Sequence, residues 1–256
     1  MEKMTLSEHF EELRLRLKWS LFFFATATIA AFIFRIFFLE LVKRPHLWAS
    51  AKLNLPAAVF VFRYQDHFIS QMKICCAAGF ILAFPFILYQ ALKFVFAGLF
   101  PNERKRIFSY LFPFLFLFIL GVFFSYFILI PYGFYFLSLY GIQVGLQPII
   151  NFNDYVSLFM VLMLAGGLVF ELPLVMVFLV RIGWVTVADF RKKRRHAILI
   201  TLIVSAVLTP PDPFTQLILG VPLILLYEVG LFFANFLGQR KPLNKLTLPI
   251  KSVEQG

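Results

Sequence analysis

Three carboxylates stand in places that call for an explanation. Glu171 lies in Leu168-Val169-Phe170-Glu171-Leu172-Pro173, in the middle of a long apolar run. An ionisable group at membrane depth is expensive, and it usually faces a bundle interior or a watery cavity. Pro173 adds polarity to the same patch, because its missing N–H frees a backbone carbonyl one turn earlier. The plain alternative for Glu171 is a structural hydrogen bond between helices. Glu103 sits in the basic loop Pro101-Asn102-Glu103-Arg104-Lys105-Arg106, and Glu12 lies near the N-terminus, four residues before Arg16. A local ion pair with Arg16 would account for Glu12, and local charge balance would account for Glu103. Two carboxylates on one membrane face could equally receive a cationic peptide. Arginine suits that role, because its planar fork pairs with a carboxylate through two hydrogen bonds.

Other chemistry is poorly supported. His9, His46, His67 and His196 are scattered through the sequence. The sequence shows no metal-ligand cluster, no nucleophile–base pair at one depth and no glycine-rich phosphate loop, so no metal and no cofactor is expected. Cys75 and Cys76 are adjacent and lack the C-x-x-C spacing of a redox or zinc motif. They read as packing residues.

The elements that position these groups are set by hydropathy. The 256 residues are 61% hydrophobic, 19% aromatic and 14% charged, with 36 Phe, and mean hydropathy is +0.86. Soluble chains hold roughly 45–50% apolar and about 25% charged residues. A soluble enzyme, a coiled coil and a disordered chain are therefore excluded as the main body. Crossing the hydrocarbon takes about 20 mostly apolar residues. Segments 19–39, 69–96, 107–132 and 156–180 meet this need, while 197–208 and 214–237 are shorter or interrupted by polar residues. The runs lack the two-residue alternation of barrel strands. The expected body is one polytopic domain over 1–240, followed by a cytoplasmic tail over 241–256.

The formal net charge of +11 follows the loops. Segments 1–18, 98–107, 181–196 and 238–256 carry 17 of the 24 Lys and Arg, and the alternate loops carry four. Cytoplasmic loops hold such an excess, which places both termini in the cytoplasm and assigns the basic charge to topology rather than nucleic-acid binding. Met1–Lys18 contains four glutamates and is not followed by a small-residue cleavage site, unlike a signal peptide. Thr5-Leu6-Ser7-Glu8 matches a capping box. Leu6, Phe10, Leu13 and Leu17 form an apolar stripe, with His9, Glu12 and Arg16 on another face. This segment is expected to lie along the cytoplasmic surface before turning into the first span. The outer loop 40–68 should form an ordered cap, and Thr209-Pro210-Pro211-Asp212-Pro213 should end the short fifth helix.

Four motifs together resemble the TatC family, the polytopic core subunit of the twin-arginine protein translocase. They are His9-Phe10-Glu11-Glu12-Leu13-Arg14-Leu15-Arg16; Pro85-Phe86-Ile87-Leu88-Tyr89-Gln90, leading to Phe94 and Gly98-Leu99-Phe100-Pro101-Asn102-Glu103-Arg104; Phe170-Glu171-Leu172-Pro173; and Thr209-Pro210-Pro211-Asp212 with Gln216. The resemblance implies an all-α integral membrane protein, a concave six-helix transmembrane bundle with short fifth and sixth helices. It implies a non-enzymatic receptor in the bacterial cytoplasmic (inner) membrane that binds twin-arginine signal peptides of folded cargo and nucleates a proton-motive-force-driven export complex. Glu12 and Glu103 match the arginine-receiving positions, with Phe94 and Arg16 beside them. Glu171 matches an intramembrane glutamate on the concave face. Thr209 and Gln216, with Asp212, match a polar site where single-span TatA/TatB-type subunits dock. Further implied partners are membrane lipid and other copies in a homo-oligomeric receptor complex. An organelle membrane is also compatible with the Phe-rich composition.

Some positions depart from the family pattern. Ala97 replaces a common proline, Leu92 a common aromatic and Thr215 a serine, and the segment Arg63–Phe68 lacks a proline often found there. A proton- or ion-coupled secondary transporter using Glu171 is the alternative reading. Transporters show paired broken helices in two halves, whereas this sequence shows one short hairpin at its end.

Overall fold

A computed structural model of the chain describes residues 6–56, 58–99, 107–146, 149–209 and 212–238. Among these the regular secondary structure is helical, apart from one isolated bridge between Phe60 and Asn151. In chain order the helices are α1 (Leu6–Ile33), α2 (Arg35–Lys52), α3 (Tyr64–Leu99), α4 (Ile107–Phe124), α5 (Ile130–Gln143), α6 (Phe152–Val169), α7 (Leu172–Ile182), α8 (Val187–Lys192), α9 (Arg194–Leu208) and α10 (Pro213–Gly238). They form a six-span membrane bundle. Five stretches are long and apolar enough to cross a bilayer: Ser7–Ile33, Tyr64–Val95, Tyr110–Gln143, Phe152–Ile182 and Pro213–Phe236. Helix α9 is the remaining span. Its 15 residues reach only about 22 Å against roughly 30 Å of hydrocarbon.

The bundle is open. Helix α1 packs mainly along α3, while α10 packs mainly on α7 with α9 beside it. Large apolar side chains such as Phe22, Ile29, Phe112, Phe116, Leu225 and Phe232 are exposed. In water this would be a wide hydrophobic surface; in a bilayer it is the lipid-facing one. The interior is built on Leu129, Ile130, Val156, Phe159, Leu162, Leu219 and Leu223.

Prolines shape the spans, and the carbonyl freed by Pro45 is taken up by a tyrosine. Pro45 sits inside α2 and has no N–H for Leu41 O. Tyr126 Oη donates to that carbonyl at 3.0 Å, and Tyr155 Oη donates to Val42 O. Pro131 falls at the start of α5, and ahead of it Ser125–Leu129 forms a π turn in which Ile130 N–H reaches Ser125 O. Pro173 separates α6 from α7, and Phe170 and Glu171 form the joint. A close glycine contact binds α4 to α6, since a Cβ added at Gly121 would lie 2.4 Å from Gly166 O. Phe84 of α3 stacks on Phe118 of α4 with ring centroids 3.5 Å apart.

Several boundaries differ from the sequence expectation. Helix α1 is continuous from Leu6 to Ile33, so the amphipathic stretch runs straight into the first span without the expected turn. The third span continues past Tyr132 to Gln143, and Tyr132 and Tyr135 pack their rings against Trp48 of α2. Helix α10 has 26 residues, about 39 Å, so shortness applies to α9. The start of α10 at Pro213 is favoured because Pro fits a first-turn position and Asp212 accepts the Thr215 amide at 2.8 Å. The outer cap is present: α2 covers that end, and Phe60 joins the two outer segments through Phe60 N–H to Ile150 O at 2.9 Å and Phe152 N–H to Phe60 O at 2.8 Å. At the other end, Thr186 caps the six-residue α8, and its hydroxyl and amide hold the Asp189 carboxyl below the usual carboxylate range. The capping-box residue Thr5, the prolines Pro210 and Pro211 and the tail 241–256 lie outside the described residues.

Candidate functional site

Helices α1 and α3 run antiparallel, so the first turns of one meet the last turns of the other. Small residues permit the close approach: Gly79 faces Thr28, and Ala31, Cys75 and Ala78 are buried together. Near the N-terminal end this packing assembles a polar cluster. Arg16 donates to Glu12 Oε1 through Nη2 at 2.7 Å and through Nε at 3.2 Å. Its Nη1 donates to Gln90 Oε1 at 3.2 Å. One turn outward, the His9 ring stacks on Phe94 with centroids 4.4 Å apart. Lys93 lies 4.5 Å over the Tyr89 ring.

The Glu12 and Arg16 side chains are 14% and 22% exposed, so the pair is partly desolvated while its rim remains open. Glu12 Oε2 has no hydrogen-bond partner among the described residues. The arrangement can therefore hold a guanidinium on a carboxylate beside an aromatic wall, and it already does so with the chain's own Arg16.

The structure thus brings together Glu12, Arg16 and Phe94. Glu103 lies outside the described residues. Gln90 and His9 belong to the cluster although neither was expected to. Gln90 is buried and four residues before Phe94, which is one helical face; His9 shares its face with Glu12 and Arg16. That pairing of spacings was the available signal, but joining the two faces requires the antiparallel register.

Glu171 stands apart, at the joint between α6 and α7. It is buried, at 7% exposure, and neither carboxyl oxygen has a hydrogen-bond partner among the described residues. Among the described residues no interhelical hydrogen bond reaches its carboxyl. The backbone is better satisfied: Glu171 N–H donates to Leu168 O at 3.1 Å, and Glu171 O accepts from Leu174 and Val175. Ser125 Oγ, in the π turn, is likewise buried without a partner.

The third group lies at the turn between α9 and α10. Thr209 Oγ1 donates to Ser205 O at 2.7 Å, and Gln216 Nε2 donates to Leu202 O at 3.2 Å. Asp212 caps α10, accepting from both the amide and the hydroxyl of Thr215. Thr209 and Asp212 close the facing ends of α9 and α10, Gln216 bonds across the hairpin, and Gln216 Oε1 remains without a partner among the described residues. No group of three or more metal-ligating side chains occurs among the described residues.

The chain was compared with known proteins. The family model described as Sec-independent protein translocase protein (TatC) matches residues 8–222. The chain is similar to the TatC of Desulforapulum autotrophicum, 33% identical over 247 residues, covering 94% of this chain and 87% of that protein. It is 33% identical to the TatC of Aquifex aeolicus over 93% of this chain and 98% of that one. A protein named TatCy from Bacillus subtilis is 32% identical over 92% of this chain and 90% of its own length. Two crystal structures of a twin-arginine translocase receptor, TatC, superpose with TM-scores of 0.79 and 0.80 at 31% and 32% identity. They cover 91% and 89% of this chain and 100% and 99% of theirs. A multi-pass fold of this kind, matched along nearly its whole length, leaves no support for an unrelated ion-coupled carrier. The chain belongs to the TatC family of Sec-independent protein translocase proteins.

Proposed function

We propose that this chain is the receptor of a twin-arginine translocase and that the Glu12 cluster receives the paired arginines of a cargo signal peptide. The observation that carries the reading is the guanidinium already seated on Glu12. Two guanidinium N–H groups converge there on one oxygen, Oε1, while Oε2 stays open, and an incoming arginine can exchange with Arg16. Glu103, in the adjoining basic loop, supplies the second carboxylate. The His9–Phe94 stack gives the flank an apolar wall against which the peptide backbone can lie. Lysine would fit less well, because an ammonium lacks the planar fork.

Two further assignments complete the reading. Glu171, with both oxygens open, receives a polar group from a single-span partner helix inside the bilayer. Gln216, through its open carbonyl oxygen, helps dock TatA/TatB-type subunits at the α9–α10 turn, with Thr209 and Asp212 keeping that turn in shape. The cytoplasmic face is the end that carries Glu12, transport draws on the proton motive force, and receptor copies assemble around the cargo.

Binding tests the reading. Full-length protein in mild detergent should bind a peptide carrying Arg-Arg in preference to its Lys-Lys counterpart. Glu103→Ala should weaken binding, and Glu12→Ala should do so to a lesser degree, with membrane insertion unchanged. Wild-type affinity in both variants would remove these residues from the site.

A further inference from the structure

At the same end of the bundle, away from Glu12, a cavity of about 320 Å³ opens between α8, α9 and α10. Arg191, Arg194, Glu228, Leu231, Phe232 and Asn235 line it. Its chemistry is divided. Arg194 Nη2 meets Glu228 Oε2 at 2.5 Å, so that carboxylate is already matched. Arg191 is exposed and has no partner among the described residues. With the Arg194–Glu228 pair formed, Arg191 leaves the lining one positive charge in excess.

The α10 wall is mixed, with Leu231 and Phe232 standing between the polar Glu228 and Asn235. Leu231 is buried and forms the floor, whereas Phe232 is 68% exposed and Phe236, one turn on, 69% exposed. Trp184, just before α8, is also exposed, at 69%, as suits a residue at the membrane–water boundary. The rim is held in place. Tyr227 Oη donates to Phe190 O at 2.8 Å, the Phe190 and Tyr227 rings meet edge on, and the Thr186–Asp189 capping box fixes the start of α8. Arg191 is thus carried on a backbone anchored to α10, whose exposed Phe232 lines the same cavity.

A positive rim over an exposed aromatic wall complements a ligand that is anionic at its head and apolar below. We propose that this cavity binds the phosphate of an anionic phospholipid. Arg191 and Arg194 serve as donors, and the acyl chains lie along Phe232 and Phe236. A phosphate diester presents acceptor oxygens that an arginine fork engages through parallel N–H···O bonds, and basic pockets at the helix ends of membrane proteins select such headgroups. A cationic signal peptide would be repelled from the same rim, so the site is separate from the Glu12 cluster and does not rest on its assignment.

Thermal unfolding of the delipidated full chain in mild detergent tests the site. The protein is titrated with phosphatidylglycerol, phosphatidylcholine or inorganic phosphate. Phosphatidylglycerol should raise the midpoint saturably in the wild type, while the other two leave it in place. Arg191→Gln should shift half-saturation to about tenfold more lipid, the loss expected for one charge-assisted bond. Arg191→Lys should fall between the two, and Lys52→Gln, at the outer end on α2, should titrate like the wild type. An equal response to phosphatidylcholine, an equal response to free phosphate, an unchanged titration in Arg191→Gln, or an equal loss in Lys52→Gln would each overturn the proposal.

Discussion

Replacing Glu12 with glutamine removes one charge and little volume from the α1–α3 seam. In the resting chain Glu12 Oε1 accepts two bonds from Arg16, at 2.7 and 3.2 Å. A hydrogen bond to a charged group contributes about 1.5–3 kcal/mol, but an arriving arginine takes the place of Arg16 rather than of water. The gain is the difference between two similar pairs, about 1 kcal/mol, or roughly fivefold in affinity. Glu12→Gln should therefore weaken an Arg-Arg peptide by roughly fivefold and a Lys-Lys peptide by less. The exchange carries a second consequence. Arg16→Gln leaves Glu12 free, so it should tighten Arg-Arg binding several-fold, the reverse of what a purely positioning role would give. Fluorescence anisotropy of a labelled peptide, titrated with solubilised full-length protein, reads both. Unchanged affinity in Glu12→Gln, or a loss in Arg16→Gln as large as that in Glu12→Gln, would refute the exchange.

Gly121→Ala places a methyl 2.4 Å from the Gly166 carbonyl, a backbone atom with little freedom to move. It should cost about 1–3 kcal/mol, visible as a lower unfolding midpoint in detergent; a wild-type midpoint would show that α4 and α6 can separate freely. Tyr126→Phe removes the donor that meets Leu41 O beside Pro45, and a partly buried carbonyl left unmet costs about 1 kcal/mol. Amide hydrogen exchange in α2 should rise, and unchanged protection would mean that another group satisfies that carbonyl. Glu171→Gln should retain more export activity than Glu171→Leu, because the amide keeps hydrogen-bonding capacity; equal activity would show that the polar patch is not required.

The spans were legible because membrane burial writes itself as unbroken apolar runs, and Phe108–Ile130 could hardly be anything else. The ends of the elements were less so. Residues Gly133–Gln143 mix tyrosines and glycines with apolar residues, and tertiary packing of Phe134 on Tyr155, Tyr135 on Trp48 and Phe136 on Phe214 supports the helix beyond the third apolar segment. Helix α1 runs straight because its amphipathic stripe and its apolar core share one helical register, with no glycine or proline between them. At the candidate site, Glu12 and Arg16 could be paired from their four-residue spacing. Their meeting with Gln90 depends on a contact across 74 positions of chain, which periodicity within one helix does not contain. The open carboxyl of Glu171 was likewise out of reach, because the sequence gives its depth but not what faces it.

In the proposed site the Glu12 carboxylate touches a guanidinium of the cargo directly. A double-mutant cycle measures that contact, combining Glu12→Gln in the receptor with Arg→Gln at each arginine of the peptide in turn. The account predicts a coupling of about 1 kcal/mol with one of the two arginines and little with the other. Strict additivity at both positions would contradict it.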